Sequence, residues 1–162
     1  MNPKPLPEQD DIQKIDERFM KIALDEAQKA YDAGEVPVGC VIVCQNKVIA
    51  RAHNLSERLR DFTAHAEMQA FTSAAEYLGG KYLMECTLYV TLEPCMMCAG
   101  ASFLTRVKRI VYGASDFKRG YSLFQQPSPS LPLLHPTCEV TTGVLAAECS
   151  ALLTSFFRER RD

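Results

Sequence analysis

The chain has 162 residues, of which 47% are apolar and 23% charged, and its net charge is -2 at pH 7. This length and composition predict one globular domain over residues 1–162 and exclude a collagen-like fibre, a disulfide mini-scaffold and a disordered tail protein. The longest strongly apolar run, residues 36–44, is far shorter than the roughly 18 residues of a membrane span. We expect a cytoplasmic protein with no membrane contact and with a flexible lead-in over residues 1–11.

Two further counts limit the possible functions. The seven cysteines are an odd number, and in a reducing compartment they are better interpreted as metal ligands, reactive thiols or small core residues than as a disulfide framework. The slightly negative net charge by itself disfavours a nucleic-acid partner, which usually requires a basic surface.

The predicted elements begin with an amphipathic helix. Apolar residues recur at helical spacing from Ile12 to Ala30, and Gly34 supplies a stop. Residues 36–43 and 47–54 are two extended runs on either side of a turn-forming Gln-Asn pair. This pattern predicts a β-hairpin.

A second helix is predicted from Ala64, and two glycines end it. A strand over residues 87–91 follows, and then a third helix, with Glu93 as its N-cap and Pro94 at its first position. Residues 109–113 form the next strand. Because a helix connects it to the strand over residues 87–91, the two strands are expected to be parallel. The apolar face predicted for the second helix consists of Ala64, Met68, Phe71, Ala75 and Leu78.

The last part of the chain combines an irregular stretch with a final helix. Residues 120–137 contain four prolines and form a loop long enough to suggest a function. Residues 138–142 are a short last strand, and apolar residues from Leu145 to Phe156 mark a C-terminal helix that ends in three arginines. The whole order predicts an α/β fold of three layers, α/β/α, with a central mixed sheet of about five strands.

Two fragments carry the candidate chemistry: His65 with Glu67, and Cys95 with Cys98 after a proline. Cysteines at i and i+3 share one face of a helix, and the positive end of the helix dipole favours the thiolates that a metal needs. Two thiolates and one neutral imidazole neutralise Zn²⁺ and leave its fourth position open, the ligand count of a catalytic site. Glu67 would stay free to carry a proton from water to a leaving nitrogen.

Each fragment alone has a simpler interpretation. A C-x-x-C pair can be two buried thiols or a redox pair, and a lone histidine beside an apolar helix more often packs than binds a metal. Joined as H-x-E and P-C-x-x-C, each at a predicted helix start, they match the pattern of a zinc deaminase. His53 and His135 have no spacing that pairs them with the thiolates. The other cysteines are expected at core or neutral positions: Cys40, Cys44, Cys86, Cys138 and Cys149.

At these residues the sequence resembles the cytidine-deaminase-like superfamily, and most closely its bacterial tRNA-specific adenosine deaminases. The resemblance covers nearly the whole chain, because the flanking blocks match as well as the zinc motif. It implies the cytidine-deaminase-like form of the predicted fold. The matching blocks are residues 34–39, 53–54, 63–67, 91–101, 142–146 and 156–158.

The resemblance implies the site and the reaction. His65, Cys95 and Cys98 would hold one Zn²⁺ per chain, and Glu67 would shuttle protons. Zinc-activated water would attack C6 of a flipped-out adenine at the wobble position of a tRNA anticodon, so that ammonia leaves and inosine remains. The expected partners are a tRNA anticodon stem-loop and a second copy of the chain in a homodimer.

The resemblance also implies substrate contacts. Asn54 would contact the target base, Val36 and Pro37 would line its pocket, and Asp116 would lie near the flanking nucleotides. Simpler interpretations are a turn residue at a strand end for Asn54 and a solvated loop charge for Asp116.

Three departures from the family pattern bear on the choice of substrate. Phe62 stands where the family commonly has proline, Cys40 stands where it has alanine, and the stretch after Lys118 differs from a shorter glycine-rich pattern. The alternative function is therefore a deaminase of a free nucleobase or nucleoside, such as guanine or cytosine. A zinc-stabilised binding protein without activity is disfavoured, because a carboxylate would then have little reason to lie at the open position.

Basic residues are unevenly distributed along the chain. The arginines of residues 156–161, which follow two phenylalanines, suit a phosphate-bearing partner, although a solvated helix end has the same composition. Together with a second basic group they predict a local RNA-facing surface on a mildly acidic protein. The basic residues in question are Arg106, Lys108, Arg109, Lys118 and Arg119, and Arg158, Arg160 and Arg161.

Overall fold

The computed structural model describes residues 3–125 and 132–161. The helices are α1 (Gln9–Asp32), α2 (Ala66–Leu78), α3 (Met96–Thr105) and α4 (Ala146–Arg161). The strands are β1 (Gly39–Cys44), β2 (Lys47–His53), β3 (Cys86–Leu92), β4 (Arg109–Ala114) and β5 (Glu139–Thr142). None of the helices in these ranges is both long and apolar enough to cross a membrane.

The five strands form one mixed sheet in the order β2-β1-β3-β4-β5. Strand β1 runs antiparallel to β2 and β3, whereas β3, β4 and β5 are parallel to one another. Helices cover both faces, so the predicted three-layer fold with five strands is confirmed. The β1–β2 turn is Gln45-Asn46 with both φ values positive, at 51° and 63°, as a two-residue hairpin turn requires.

Two apolar cores lie on the two faces of the sheet, and successive strand residues contribute to opposite cores. Leu88 and Ile110 pack with α2 and α3, whereas the next residues, Tyr89 and Val111, pack with α1 and α4. Helix α1 comes very close to the sheet at Gly39, where a Cβ would lie 2.2 Å from the Ala23 carbonyl oxygen. Only glycine fits at this position of β1.

Two helices differ in detail from the prediction. Helix α1 begins at Gln9, inside the predicted lead-in, because acidic residues in its first turn favour a helix N-terminus. Helix α2 begins at Ala66, two residues later than predicted, and Leu78 on its predicted apolar face is 41% exposed. Its buried face is instead built largely from alanines at i+4 spacing, which allow close packing on the sheet. These buried residues are Ala66, Glu67, Ala70, Phe71 and Ala74.

The last predicted elements lie close to their expected places. Tyr121–Leu123 forms a 3-10 turn at the start of the irregular stretch, and residues 126–131 of that stretch lie outside the described residues. Strand β5 and helix α4 follow as predicted. Each of the seven cysteines, all within the described ranges, has a free thiol.

The prediction that Arg109 belongs to an RNA-facing basic group is wrong. Its guanidinium donates to both carboxylate oxygens of the buried Asp16, at 2.8 and 2.6 Å, and Tyr89 also donates to Asp16. This bidentate pair joins α1 to β4. Arg106 and Lys108 precede β4, whereas Lys118 and Arg119 follow it, so the two pairs lie at opposite ends of this strand.

A second buried carboxylate, Glu26, joins α1 to β2. It is 4% exposed and accepts hydrogen bonds from Lys29 at 2.9 Å, Arg51 at 2.8 Å and His53 at 3.3 Å. Burial alone would raise the pKa of Glu26, but these three partners outweigh it and lower the pKa below its ordinary 4.5. The carboxylate is therefore held in its charged form.

Replacing Glu26 tests this pairing. We expect Glu26→Gln to lose about 1–3 kcal/mol of the free energy of unfolding at pH 7, measured by urea unfolding. Because the folded pKa lies below the unfolded one, the stabilisation is complete above the unfolded value and is lost as pH falls through the folded value. The difference between wild type and variant should therefore shrink below pH 4.5.

The matched control is Asp25→Asn, which removes an exposed carboxylate one residue earlier on α1. We expect it to change stability by less than about 0.5 kcal/mol. An equal loss in both variants, or a loss in Glu26→Gln that does not depend on pH, would contradict the interpretation.

Candidate active site

Four chain segments meet at one edge of the sheet. Strands β3 and β4 are parallel, so the segments that follow Leu92 and Ala114 leave at the same edge. Strand β1 begins and β2 ends at this edge, because Gly39 pairs with His53 and Cys40 with Val90. In open α/β sheets the carboxyl ends of parallel strands are the usual place for a binding site.

The predicted metal ligands converge at this edge. His65 and Cys95 are the N-cap residues of α2 and α3, and Cys98 lies in the first turn of α3. The Nδ1 atom of His65 is 3.4 Å from Cys95 Sγ and 3.6 Å from Cys98 Sγ. With Zn–N near 2.0 Å and Zn–S near 2.3 Å, tetrahedral coordination places N and S about 3.6 Å apart. The three side chains thus fit a zinc ion.

Hydrogen bonds within the cluster already favour one thiolate. The Cys98 thiol hydrogen-bonds to Cys95 and, with His65, lowers the pKa of Cys95 to about 4. The pKa of Cys98 is raised, because its proton is shared with Cys95 and its thiol is buried. The hydrogen bond with Cys95 raises the pKa of His65, while the nearby Arg119 charge acts in the opposite direction. A coordinated divalent cation would deprotonate both thiols.

Glu67 lies in the first turn of α2 and is 3% exposed. Its carboxyl group hydrogen-bonds to the Cys98 thiol, and burial raises its pKa. The structure thus places a buried carboxyl group beside the three predicted metal ligands, although Glu67 is only two residues from His65. This is possible because His65 is the extended N-cap residue and precedes the helix proper.

The predicted base-contacting residues also lie together. Asn54 is 6% exposed; its Nδ2 donates to the Val36 carbonyl at 3.4 Å, and its Oδ1 accepts from the Ser56 amide at 3.1 Å. Pro37 is buried and Val36 is partly exposed. The Asn54 amide therefore joins the segment before β1 to the loop after β2. The hydrogen bond from the Ser56 amide to Asn54 Oδ1 is also the contact expected if Asn54 were only a turn residue at a strand end.

Asp116 shapes the loop in which it lies. One carboxylate oxygen accepts the Lys118 and Arg119 amides, both at 3.0 Å, and its own amide donates to Glu93 at 3.3 Å. The side chain is half-exposed. It is therefore a loop-forming residue at the site edge, and contact with a nucleotide stays a prediction.

Sequence reasoning missed the roles of two buried carboxylates. The prediction that Glu93 caps α3 is wrong: Cys95 is the N-cap residue, and Glu93 accepts from the amides of Asp116 and Ser122 and from the Ser122 hydroxyl. Glu35 accepts from two amides of the loop after β2, at 2.7 and 3.0 Å. Each of these acids lies two residues before a predicted site residue, Pro37 or Cys95, and this position was the available sequence signal. The hydrogen-bond partners could not be predicted, because they are distant in sequence.

Comparison with known proteins agrees with this geometry. The family described as "Cytidine and deoxycytidylate deaminase zinc-binding region" matches residues 13–114. The tRNA-specific adenosine deaminase of Bacillus subtilis (strain 168) is 48% identical over 146 residues, which cover 90% of this chain and 91% of that protein. The chain belongs to the tRNA-specific adenosine deaminase family. The predicted family, zinc cofactor and deaminase class are confirmed.

Two solved structures resemble this deaminase along most of its length. One, from a study of A-to-I editing by tRNA:A34 deaminases at the wobble position of transfer RNA, has a TM-score of 0.76 and 41% identity and covers 84% of this chain and 99% of that chain. A guanine deaminase from Bacillus subtilis has a TM-score of 0.61 and 30% identity and covers 90% and 94%, respectively. Proteins with this fold therefore include both a tRNA deaminase and a guanine deaminase.

The ligand set predicts the metal content. We expect the purified deaminase to hold about one zinc ion per chain, measured by inductively coupled plasma mass spectrometry, and Cys98→Ala to lose most of it because only two ligands remain. Cys138→Ala is the matched control, since this half-buried thiol precedes β5 at the opposite sheet edge. Wild-type zinc content in Cys98→Ala would contradict the assignment.

Proposed function

We propose that this deaminase hydrolyses adenosine to inosine at the wobble position of a tRNA anticodon, and that one deaminase domain spans residues 1–162. The observation that carries the reaction is the buried Glu67 carboxyl group beside a His-Cys-Cys cluster, in which residues 3–125 and 132–161 supply three metal-binding side chains. The RNA substrate is supported by the named substrates of the relatives described above.

The chain's own residues account for proton transfer. A bound zinc ion supplies Lewis-acid activation of water at neutral pH. Glu67 accepts a proton from the attacking water and delivers it to the departing amine, so adenosine and water yield inosine and ammonia. Its burial keeps bulk water away from this transfer.

Asn54, Val36 and Pro37 form the proposed base pocket. An amide can satisfy the polar edge of a purine, and the contact between Asn54 and the Val36 carbonyl fixes the orientation of that amide. The apolar side chains supply a wall for the ring. Cys40, which departs from the family pattern, is completely buried in the core between the sheet and α2.

The proposed homodimer rests on an apolar groove along α3. Met96 is 52% and Leu104 is 75% exposed, and a Cβ at Gly100 would have no neighbour within 4 Å. Exposed apolar surface of this kind marks an interaction site. The groove is lined by Met68, Met96, Met97, Gly100, Ala101, Phe103, Leu104, Pro132 and Leu133.

A cytoplasmic location belongs to the same proposal. The free thiols, and the thiolates that hold the metal, suit a reducing compartment, and tRNA is found there.

The substrate is tested by offering the zinc-loaded protein an anticodon stem-loop with adenosine at the wobble position, and separately guanine, cytosine and cytidine. We expect inosine from the stem-loop, measured by nuclease digestion and mass spectrometry, and no ammonia from the free bases or cytidine. Turnover of guanine, cytosine or cytidine with none of the RNA would overturn the proposed substrate and favour the alternative function.

Glu67→Ala separates catalysis from metal binding in the same assay. We expect this variant to keep its zinc, because the three ligands remain, and to lose at least about 100-fold in rate, as expected for removal of a general acid–base group. Deamination at the wild-type rate would show that the proposed proton transfer is wrong.

The dimer is tested with Leu104→Glu, which places a charge in the apolar groove. We expect sedimentation equilibrium to show a dimer for the wild type and a monomer for this variant, because burying an unpaired charge is costly. Leu78→Glu, at an exposed leucine near the end of α2, should remain dimeric. A monomeric wild type at micromolar concentration would overturn this part of the proposal.

A further inference from the structure

Two loops at the site edge each present a phenylalanine to solvent. Phe62 is 95% exposed and lies three residues before His65, whereas Phe117 is 87% exposed and follows β4. Aromatic side chains contribute most to stability when they are buried. Neither phenylalanine side chain is buried, and both lie in loops that border the predicted metal ligands, so a binding role explains their position better than a role in stability.

The first loop is held in a fixed shape. Asp61 Oδ1 accepts from both the amide and the hydroxyl of Thr63, at 2.8 and 2.7 Å. The buried Glu35 carboxylate accepts the amides of Glu57 and Arg58 in the same loop. Phe62 lies between two hydrogen-bonded residues, so little backbone entropy is lost when its ring binds a ligand.

The second loop is held in a similar way. Asp116 accepts the amides of the two residues after Phe117, and Glu93 accepts the amide of Asp116. Gly120 forms a bridge to Cys95, and glycine is required there because a Cβ would lie 2.6 Å from the Asp116 carbonyl oxygen. Phe117 is thus presented on a loop attached directly to a zinc ligand.

Both phenylalanines are accompanied by exposed cations. Arg58 and Arg60 precede Phe62, and Lys118 and Arg119 follow Phe117. The nearby Asp61 and Asp116 carboxylates are occupied by hydrogen bonds within their own loops. Exposed aromatic rings beside cations are the combination that binds single-stranded nucleic acid, since rings stack on bases and cations contact phosphates.

We propose that Phe62 and Phe117 stack on the two nucleobases that flank the target adenosine, one on each side. The inference rests on the proposed function and deepens it. Extrusion of the target base unstacks its neighbours, and an aromatic ring on each loop replaces the lost stacking at both. Both residues act on binding of the RNA strand and not on the chemical step.

The test uses an anticodon stem-loop in which the nucleotide on either side of the adenosine is replaced by 2-aminopurine, whose fluorescence is quenched by stacking. We expect the fluorescence of both substituted stem-loops to be quenched when they bind the wild type. Phe62→Ala should lose the quenching at one of the two neighbouring nucleotides, and Phe117→Ala should lose it at the other. Each variant should lose about 5- to 100-fold in kcat/KM for the stem-loop, mainly through KM. Phe→Tyr at either position should restore both readouts, whereas Phe→Leu should not.

Tyr77→Ala is the matched control, because Tyr77 is a 55% exposed aromatic residue near the end of α2. It should leave both readouts at wild-type values. Zinc content and melting temperature should be unchanged in every variant, since these rings are not part of the core.

The outcomes separate this inference from the proposed function. A wild type that does not deaminate the stem-loop overturns the proposed function and the inference with it. A wild type that deaminates it, together with alanine variants of unchanged quenching and KM, overturns the stacking alone. Equal losses in the tyrosine and leucine variants would also overturn it, because stacking requires the ring.

Discussion

The site depends on one constraint: the N-termini of α2 and α3 must lie next to each other. The first predicted metal ligand of each helix is its N-cap residue, with extended backbone, so His65 and Cys95 reach the same place from different directions. The sheet enforces this convergence, because β3 leads into α3 at the edge where β2 ends. On the other face of the sheet, α1 packs closely on Gly39 of β1, the strand between β2 and β3.

Buried carboxylates extend this fixed centre to the surface that meets the substrate. Glu35 binds backbone amides of the loop after β2, and Glu93 binds those of Asp116, in the loop after β4, and of Ser122, in the 3-10 turn that follows it. A buried carboxylate that accepts amide hydrogen bonds satisfies those donors and fixes the backbone that carries them. The loops therefore hold a defined shape without substrate, which reduces the entropy lost on binding.

Local features of the chain were predictable, and tertiary partnerships were not. The H-x-E and C-x-x-C spacings predicted the metal ligands because each fragment acts within one helix turn. The N-cap assignment of Glu93 failed since its true partners, such as Ser122, are 29 residues away. Arg109 was misassigned for the same reason, because its partner Asp16 lies 93 residues earlier. The apolar face of α2 was misplaced because small alanines, which give weak periodicity, form its contact with the sheet.

The net charge of -2 is a poor guide to the surface that a polyanion would meet. Within residues 3–125 and 132–161, five acidic side chains are buried, whereas no lysine or arginine is. Two of these acids form ion pairs with arginines, and two accept hydrogen bonds from backbone amides. The fifth lies beside the predicted metal ligands, so none of the five faces a ligand at the surface. The exposed cations beside the site can therefore attract phosphate although the sequence as a whole is acidic. The buried acids are Asp16, Glu26, Glu35, Glu67 and Glu93.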